Sequence, residues 1–331
     1  MRVGDEKTGK WGYIDSAGKF AVNPQFDIAG YFSEGRGDVR VGDKNTGKWG
    51  YVDATGNLVI SPQFHKASAF HEGLAPVTIG DDENAKFGYI DRSGKFAVNP
   101  QFDDARSFSS GFAAVRLGNE KTGKWGYIDK LGKFVATPQF DYASDFQDGL
   151  AAVRIGDDET GKYGYIDEKG KLVINPQFDE AEAFHDGLAP VWIGKAEARK
   201  EGYIDKTGKL VVNPQFDVTS TFHDGLAAVG IGDVENCKWG FIDTTGKLIV
   251  SLQFDDASDF SEGLAAVRIG DLLEGKWGFI DKMGKFMINP QYSYASSFNE
   301  GLANVRVRNA SGEGWGYIDT TGRFVWGPSK R

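Results

Sequence analysis

Apolar and polar positions along the chain form a pattern that returns every 38 residues. In the copy that spans residues 140–177, the pattern predicts three short strands, which we term B (150–155), C (163–166) and D (171–174). The preceding segment A (140–146) has apolar residues at spacings of three and fits either an irregular strand or a single helical turn. Each repeat is therefore predicted to be a small antiparallel meander.

Turn residues separate these predicted strands. Gly149 lies between segments A and B, where a positive φ is expected. Asp167 and Gly170 lie between C and D and are typical of a type I turn with a glycine bulge, in which the Asp side chain accepts backbone N–H bonds. The same Asp and Gly recur in all nine copies, so we assign these aspartates to turn capping rather than to a metal or acid–base site.

An aromatic–glycine pair at the start of strand C marks the phase of the repeat. Its first residue in the nine copies is, in order, Trp11, Trp49, Phe87, Trp125, Tyr163, Glu201, Trp239, Trp277 and Trp315. Only the sixth copy lacks an aromatic residue there. A fixed period of this length is typical of solenoids and propellers, in which neighbouring repeats share their cores. We therefore predict one repeat domain over residues 1–331.

Strands C and D are apolar on both faces, which indicates an all-β fold in which each sheet packs between two like sheets. The first and last copies keep their apolar residues, so both ends need a cover, and a closed nine-bladed β-propeller lets each end cover the other. The chain has nine B–C–D sets but eight A segments, which predicts one three-stranded blade. An open β-solenoid or superhelical array remains the alternative.

The consensus KWGYIDxxGKxVINPQFDxAxxFxDGLAxV resembles the WG (KWG) repeats found in many bacterial proteins, and the resemblance covers essentially the whole chain. The resemblance implies a β-repeat protein whose recurring residues are structural, with no shared catalytic set to carry over. The chain departs from the consensus at Glu201 for Trp, Leu252 for Pro, Ser293 for Asp, and Arg36-Gly37 for Leu-Ala.

Composition narrows the range of partners. The formal net charge of −9 and the pI near 5.1 argue against nucleic acid or an anionic membrane as the main partner. Cys237 is the only cysteine, so no intrachain disulfide forms, and we interpret it as an incidental thiol. We expect no cofactor, no membrane insertion and a monomer. The chain begins inside a repeat, which is typical of a fragment, so the compartment stays open.

Few residues suggest a catalytic or metal-binding role. His71, His185 and His223 share one phase beside the A–B turn, but we expect neighbouring blades to hold them too far apart to share a metal ion. Arg36-Gly37-Asp38 spells an adhesion tripeptide, which we interpret as a chance match at the start of strand B. Dinucleotide loops, phosphate loops, nucleophile elbows and two-His zinc helices are absent from the sequence.

The loops between strands B and C differ most among the copies, and several are acidic. Their spacing does not match a calcium loop. Because variable loops on a rigid frame often carry function, we predict that these loops form a ligand-binding rim. Its residues are Asp43, Asp81, Asp82, Glu83, Asp157, Asp158, Glu159, Asp233 and Glu235.

These observations favour a non-catalytic scaffold that binds a protein, peptide or glycan. One alternative is a propeller enzyme with carboxylates at a channel mouth, for which Glu201 and residues 195–200 are the symmetry-breaking candidates. A second alternative is a purely structural spacer in a larger protein. We predict no catalytic, cofactor-binding or metal-ligating residue.

Overall fold

The computed structural model describes residues 1–4, 8–15, 18–43, 45–80, 85–194, 199–233, 236–309 and 312–327. Within these residues every regular element is a β-strand, and the 35 strands form nine antiparallel sheets. No helix in this described part of the chain is long and apolar enough to cross a membrane.

The sheets follow the chain order, and each is formed by consecutive strands. Sheets 1 to 3 contain β1 (Arg2–Val3), β2 (Lys10–Ile14) and β3 (Phe20–Phe26); β4 (Ile28–Ser33), β5 (Arg36–Val41), β6 (Lys48–Val52) and β7 (Leu58–Phe64); β8 (Lys66–Ala67), β9 (Leu74–Ile79), β10 (Lys86–Asp91) and β11 (Phe96–Phe102). Sheets 4 to 6 contain β12 (Asp104–Ala105), β13 (Phe112–Leu117), β14 (Lys124–Asp129) and β15 (Phe134–Phe140); β16 (Tyr142–Ala143), β17 (Leu150–Ile155), β18 (Lys162–Asp167) and β19 (Leu172–Phe178); β20 (Glu180–Ala181), β21 (Leu188–Ile193), β22 (Lys200–Asp205) and β23 (Leu210–Phe216). Sheets 7 to 9 contain β24 (Val218–Thr219), β25 (Leu226–Ile231), β26 (Lys238–Asp243) and β27 (Leu248–Phe254); β28 (Asp256–Ala257), β29 (Ala265–Ile269), β30 (Lys276–Ile280) and β31 (Phe286–Tyr292); β32 (Tyr294–Ala295), β33 (Leu302–Asn309), β34 (Gly312–Asp319) and β35 (Phe324–Trp326).

These sheets are the blades of a nine-bladed β-propeller, so the predicted fold class is confirmed. Sheet 1 has three strands because the first copy lacks segment A, and the other eight sheets have four. The chain divides into two compact units: Met1–Asp15 with Lys19–Pro176 (unit 1), and Ser16–Gly18 with Gln177–Arg331 (unit 2). That the chain folds as one domain stays a prediction.

Segment A is an irregular strand, not a helical turn. In sheet 5 only Tyr142–Ala143 pairs regularly with β17, and an isolated bridge between Gln147 and Leu150 closes the hairpin. Strand D is longer than the apolar pattern predicts, because β19 continues through Pro176 to Phe178. Strand D is the outer edge of its sheet, where a proline without an N–H group is tolerated.

The glycine of each aromatic–glycine pair is required by a close approach of strand D. In sheet 4 the register between β14 and β15 shifts on both sides of Tyr127, and the chain of β15 comes close to Gly126. A Cβ atom on Gly126 would lie 2.5 Å from the Ala136 carbonyl oxygen and 2.7 Å from the Pro138 nitrogen. No side chain fits there, which explains why a glycine occupies this position in every copy.

The A–B turn has a positive φ at two consecutive positions, as a type I′ hairpin requires. Asp148 (φ 52°) precedes Gly149 (φ 83°), and the other seven such turns also place a non-glycine residue at the first position. A left-handed residue with a side chain costs about 1–2 kcal/mol. The side chain offsets part of this cost: the Glu72 carboxylate accepts a 2.9 Å bond from the Gly111 N–H of the next sheet's turn.

The predicted capping role of the C–D aspartates is confirmed. In sheet 4 the Asp129 carboxylate accepts bonds from the backbone N–H groups of Leu131 (2.9 Å) and Lys133 (3.0 Å). Equivalent bonds occur in the other described copies of this turn, for example from Lys19 to Asp15 in the first copy.

Within each unit, neighbouring sheets are joined by an aromatic pair. In unit 1 the buried Tyr127 of sheet 4 packs on Phe146 of sheet 5, with ring centroids 4.9 Å apart, and its hydroxyl donates a 2.6 Å bond to the Ser144 carbonyl. In unit 2, Tyr203 and Phe222 repeat the arrangement at 4.9 Å. Each sheet therefore buries aromatic surface only in the presence of the next sheet.

A salt bridge adds to this connection at the opposite end of the sheets. The Asp27 carboxylate binds the Lys10 Nζ atom of sheet 1 at 2.6 Å and the Gly42 N–H of sheet 2 at 2.9 Å. Both bonds, the one from Lys10 first, hold the pKa of Asp27 below its usual value. The same Lys–Asp–Gly set recurs with Lys200, Asp217 and Gly232 in unit 2.

The Arg36-Gly37-Asp38 tripeptide lies in β5, where Asp38 is only 5% exposed, so it does not form an adhesion loop. Asp38 occupies a position that holds a small or apolar residue in most other copies. It fits because Gly30 faces it: a Cβ atom on Gly30 would lie 2.0 Å from the Asp38 Oδ2 atom. The Asp38 Oδ1 atom has no hydrogen-bond partner among the described residues.

Burial raises the pKa of Asp38 from 3.8 to about 6. The folded state thus binds the proton more tightly than the unfolded chain, and stability falls as pH rises from about 4 to about 6. At neutral pH the buried charge costs up to about 3 kcal/mol. We expect Asp38→Asn to remove this cost, so that the variant gains stability relative to wild type between pH 4 and pH 7.

Urea unfolding of wild type and Asp38→Asn at pH 4 and at pH 7 measures the difference in stability. Asp158→Asn is the matched control, because the Asp158 side chain is 90% exposed. An equal stability difference between wild type and Asp38→Asn at both pH values would show that the Asp38 carboxyl group has an ordinary pKa.

Candidate functional site

A cavity of about 860 Å³ lies in unit 2 between sheets 7 and 8, at the end of the sheets that carries the B–C loops. Its apolar wall consists of Val218 and Trp239 from sheet 7 and of Leu272 and Leu273 from the loop between β29 and β30. Its volume is in the range of small-ligand and anchor-residue pockets.

A change in the repeat accompanies this cavity. In several sheets an arginine on strand B lies across from the aromatic residue of strand C and covers its ring, as Arg154 covers Tyr163 at 5.8 Å. In sheet 7 the residue across from Trp239 is Gly230, which has no side chain. The Cys237 Sγ atom and the Val218 Cγ1 atom each lie 2.6 Å from where a Gly230 Cβ atom would be, so they occupy the space at the root of the missing side chain. Trp239 is partly exposed, as are the strand C aromatic residues that an arginine covers, for example Trp125 and Tyr163.

Two leucines extend the apolar wall to the surface. Leu272 and Leu273 are 83% and 80% exposed, although they occupy a loop that is polar in most other copies. The loop conformation is held by Asp271, whose carboxylate accepts bonds from the N–H groups of Leu273 (2.9 Å) and Glu274 (2.7 Å). The hydrogen bonds of Asp271 therefore hold the loop conformation, and the two leucine side chains point to solvent without packing in the core.

The polar wall of the cavity is predominantly acidic. Five aspartates and one arginine line it: Asp217, Asp233, Asp255, Asp256, Asp271 and Arg268. Lys200 and Lys238, which lie beside the cavity, bind Asp217 and Asp255 at 2.5 Å, and Arg268 lies 3.6 Å from Asp256. Burial, together with the charges of Asp217, Asp256 and Asp233, raises the pKa of the Cys237 thiol. The site therefore favours positive charge and disfavours a thiolate.

A family model for the WG-containing repeat matches eight segments of the chain: residues 11–44, 49–81, 87–120, 125–157, 163–194, 202–234, 239–272 and 277–309. The chain belongs to the WG-repeat family. The matched segments begin near the aromatic–glycine pair of eight of the nine copies. The cavity of this WG-repeat protein lies where the segments 202–234 and 239–272 meet.

Comparison with solved structures shows the propeller fold alone. The WG-repeat protein is similar to a eukaryotic initiation factor, with a TM-score of 0.66 and 11% identity over 99% of this chain and 95% of the other. It is also similar to a prolyl endopeptidase, with a TM-score of 0.50 and 11% identity over 88% of this chain and 54% of the other. No curated protein matches its sequence.

The predicted acidic rim is distributed over several loops of the WG-repeat protein. Asp233 lines the cavity, and its carboxylate accepts a 2.9 Å bond from the Asn236 N–H. Asp43 and Asp157 cap their own loops in unit 1, where each accepts bonds from the backbone two and three residues later. The residues that fall outside the described part of the chain are Asp81, Asp82, Glu83 and Glu235.

Asp158 and Glu159 lie in the same loop as Asp157. Asp158 binds Arg154 at 2.5 Å, and Glu159 is exposed to solvent. These residues belong to sheet 5 and do not line the cavity with Asp233. A ligand-binding role for them stays a prediction.

The apolar half of the site lies outside the predicted acidic rim. From the sequence, Trp239 is assigned to the repeat and Cys237 to an incidental position, and Leu272 and Leu273 carry no assignment. Two signals in the sequence mark them: a Leu-Leu pair in a loop that is otherwise polar, and Gly230 at a position that most often holds arginine. Both are departures from the repeat, and they matter because sheets 7 and 8 bring them together.

Two of the three histidines that share this phase, His185 and His223, contact each other. Their ring centroids are 4.8 Å apart, and the His223 Nε2 atom lies 3.0 Å from the Thr221 hydroxyl and 3.9 Å from Asp259. Across the described residues, however, no group of three or more His, Cys, Asp or Glu side chains could hold a metal ion.

Glu201 has a structural role in the sixth copy. Its side chain is buried and accepts hydrogen bonds from the Trp192 indole and, at 2.8 Å, from the Thr219 hydroxyl. Trp192 lies across from Glu201 in the sheet, and Arg199 covers the Trp192 ring at 5.2 Å. The aromatic residue has moved from strand C to strand B, and an arginine still covers it.

The raised pKa of Cys237 makes its thiol slow to react, since the thiolate is the nucleophile. We expect alkylation by iodoacetamide at pH 8 to be several-fold slower in the folded protein than in urea. Asp256→Asn should increase the folded-state rate, because it removes one of the charges that disfavour the thiolate. Mass spectrometry of the Cys237 peptide measures both rates, and a folded rate equal to the unfolded rate would contradict the prediction.

Proposed function

We propose that this WG-repeat protein is a non-catalytic binding scaffold, and that the cavity between sheets 7 and 8 binds a segment of a partner protein. The observation that carries this proposal is the exposed pair Leu272 and Leu273 beside the partly exposed Trp239. Binding hot spots typically consist of an aromatic or aliphatic anchor in a pocket. The partner would place an apolar side chain against these three residues.

The position of the cavity supports this function. It lies at the B–C loops, where the repeat tolerates variation, while β26 and β29 form a rigid wall behind it. Loops on a rigid scaffold change sequence without loss of the fold, and they often carry recognition. Leu272 and Leu273 are adjacent to each other and lie beside Trp239, and a contiguous exposed apolar patch often marks an interaction site.

The roles of the polar residues favour binding over catalysis. The C–D aspartates cap turns, the acids of the A–B turns reach neighbouring sheets, and Glu201 holds Trp192 and Thr219. Cys237 has a raised pKa, which disfavours nucleophilic catalysis at the cavity. These side chains have structural partners that account for their presence.

A display library of random twelve-residue peptides tests the proposal. Peptides selected on the wild-type protein should bind Leu272→Asp/Leu273→Asp at least about tenfold more weakly, because the substitution replaces the apolar contact with charge. Fluorescence anisotropy with labelled peptides measures the affinity.

Two single variants serve as matched controls. Leu131→Asp and Met283→Asp change side chains that are 88% and 86% exposed but lie in C–D turns, away from the cavity. Both should bind the selected peptides with wild-type affinity. If the Leu272/Leu273 double variant also binds normally, or if the controls lose as much affinity, the binding site is not this cavity.

A further inference from the structure

We propose that the cavity binds an arginine side chain of the partner segment, with its guanidinium stacked on Trp239 in the place that the chain's own arginine occupies in other copies. This inference rests on the proposed function and specifies the chemistry of the partner. The partner segment is an arginine with an adjacent apolar residue.

The repeat itself shows which group fits this place. In at least four sheets the residue across from the strand C aromatic ring is an arginine that stacks on it. The distances from guanidinium carbon to ring centroid are 6.0 Å for Arg2 and Trp11, 5.7 Å for Arg116 and Trp125, 5.8 Å for Arg154 and Tyr163, and 5.4 Å for Arg306 and Trp315. In sheet 6, where the ring has moved to Trp192, Arg199 supplies the guanidinium. Trp239 has Gly230 across from it instead.

The polar groups that hold such an arginine have counterparts at the cavity. In sheet 5, Arg154, which stacks on Tyr163, donates a 3.2 Å bond to the Gly156 carbonyl. In sheet 8, Arg268 at the same position of the repeat donates to the carbonyls of Gly270 (2.7 Å) and Asp255 (3.2 Å). One repeat earlier, the equivalent residues are Gly232 and Asp217, and both line the cavity. A ligand arginine over Trp239 therefore meets the same types of acceptor that the chain uses for its own arginine.

The charge of the cavity fits a cation. Five carboxylates and one guanidinium line it. Lys200 and Lys238 pair with two of the carboxylates and Arg268 lies 3.6 Å from a third, so carboxylates remain in excess. The described residues form no metal site, so an organic cation is the better candidate. Arginine suits the site better than lysine, because its planar group stacks on an indole ring and donates several hydrogen bonds at fixed angles.

A protein segment fits the site better than free arginine. Leu272 and Leu273 border the cavity and are largely exposed, which offers apolar contact that free arginine leaves unused. A leucine next to the arginine in a peptide would cover them.

The test uses the acetylated and amidated peptide Ala-Leu-Arg-Leu-Ala, with lysine or citrulline in place of arginine, and free arginine as a separate probe. Calorimetric titration should show at least about tenfold tighter binding of the arginine peptide than of the citrulline peptide, which has the same shape without the charge. It should also show weaker binding at about 0.5 M salt and weaker binding of free arginine.

A variant that restores the consensus tests the vacated place directly. Gly230→Arg with Cys237→Gly and Val218→Asp gives sheet 7 the residues that sheet 8 has at these positions. Its own arginine should occupy the Trp239 ring and reduce affinity for the arginine peptide at least about tenfold. Trp239→Leu keeps apolar volume but removes the aromatic face, and it provides a second test if the triple variant does not fold. Circular dichroism melting verifies the fold of both variants.

The outcomes separate the two proposals. Equal affinity for the arginine and citrulline peptides, with binding still lost in the Leu272/Leu273 variant, would overturn the arginine assignment and keep the apolar docking site. Free arginine that binds as tightly as the peptide would overturn the assignment to a protein segment. If no peptide binds and the library-selected peptides ignore Leu272 and Leu273, the proposed function itself fails.

Discussion

A buried tyrosine of one sheet packs on a phenylalanine of the next, and this contact holds neighbouring blades together. Tyr127 lies 4.9 Å from Phe146 and donates a hydrogen bond to the Ser144 carbonyl, so one side chain supplies both apolar burial and a polar link. Removal of a buried aromatic side chain costs about 3–5 kcal/mol. Because each sheet is apolar on both faces, none of them is stable alone, and the repeat must be continued sheet by sheet.

This constraint determines where the chain can vary. Gly126 cannot accept a side chain because strand D approaches it, and Asp129 is required by its turn. Variation is permitted where the side chains meet water at the B–C loops, and on the strand B residue that covers the aromatic ring. The candidate site combines one change of each type: an exposed leucine pair in a loop, and Gly230 in place of an arginine.

The part of the site at Trp239 is formed by the loss of a side chain. The sixth copy has Glu201 in place of the aromatic residue, but Trp192 and Arg199 compensate for it, and the pair of aromatic ring and guanidinium is kept. The seventh copy keeps the ring of Trp239 without its arginine. With glycine on strand B, the internal cation–π contact is absent, and an external group can contact the ring instead.

The all-β class, the nine repeats and the capping role of the turn aspartates follow from the amino-acid sequence alone, because each depends on local periodicity and turn chemistry that recur every 38 residues. The choice between a propeller and an open array does not, because both produce the same repeat pattern. The extended strand D and the contact between His185 and His223 do not follow from it. The proximity of Trp239 in one repeat to Leu272 and Leu273 in the next does not follow from the sequence either, because it depends on how the sheets pack. The physical reason is that the packing of two sheets decides which unusual residues of different repeats line the same cavity. The sequence pattern gives the position of each residue along the chain but not the distance between residues in space.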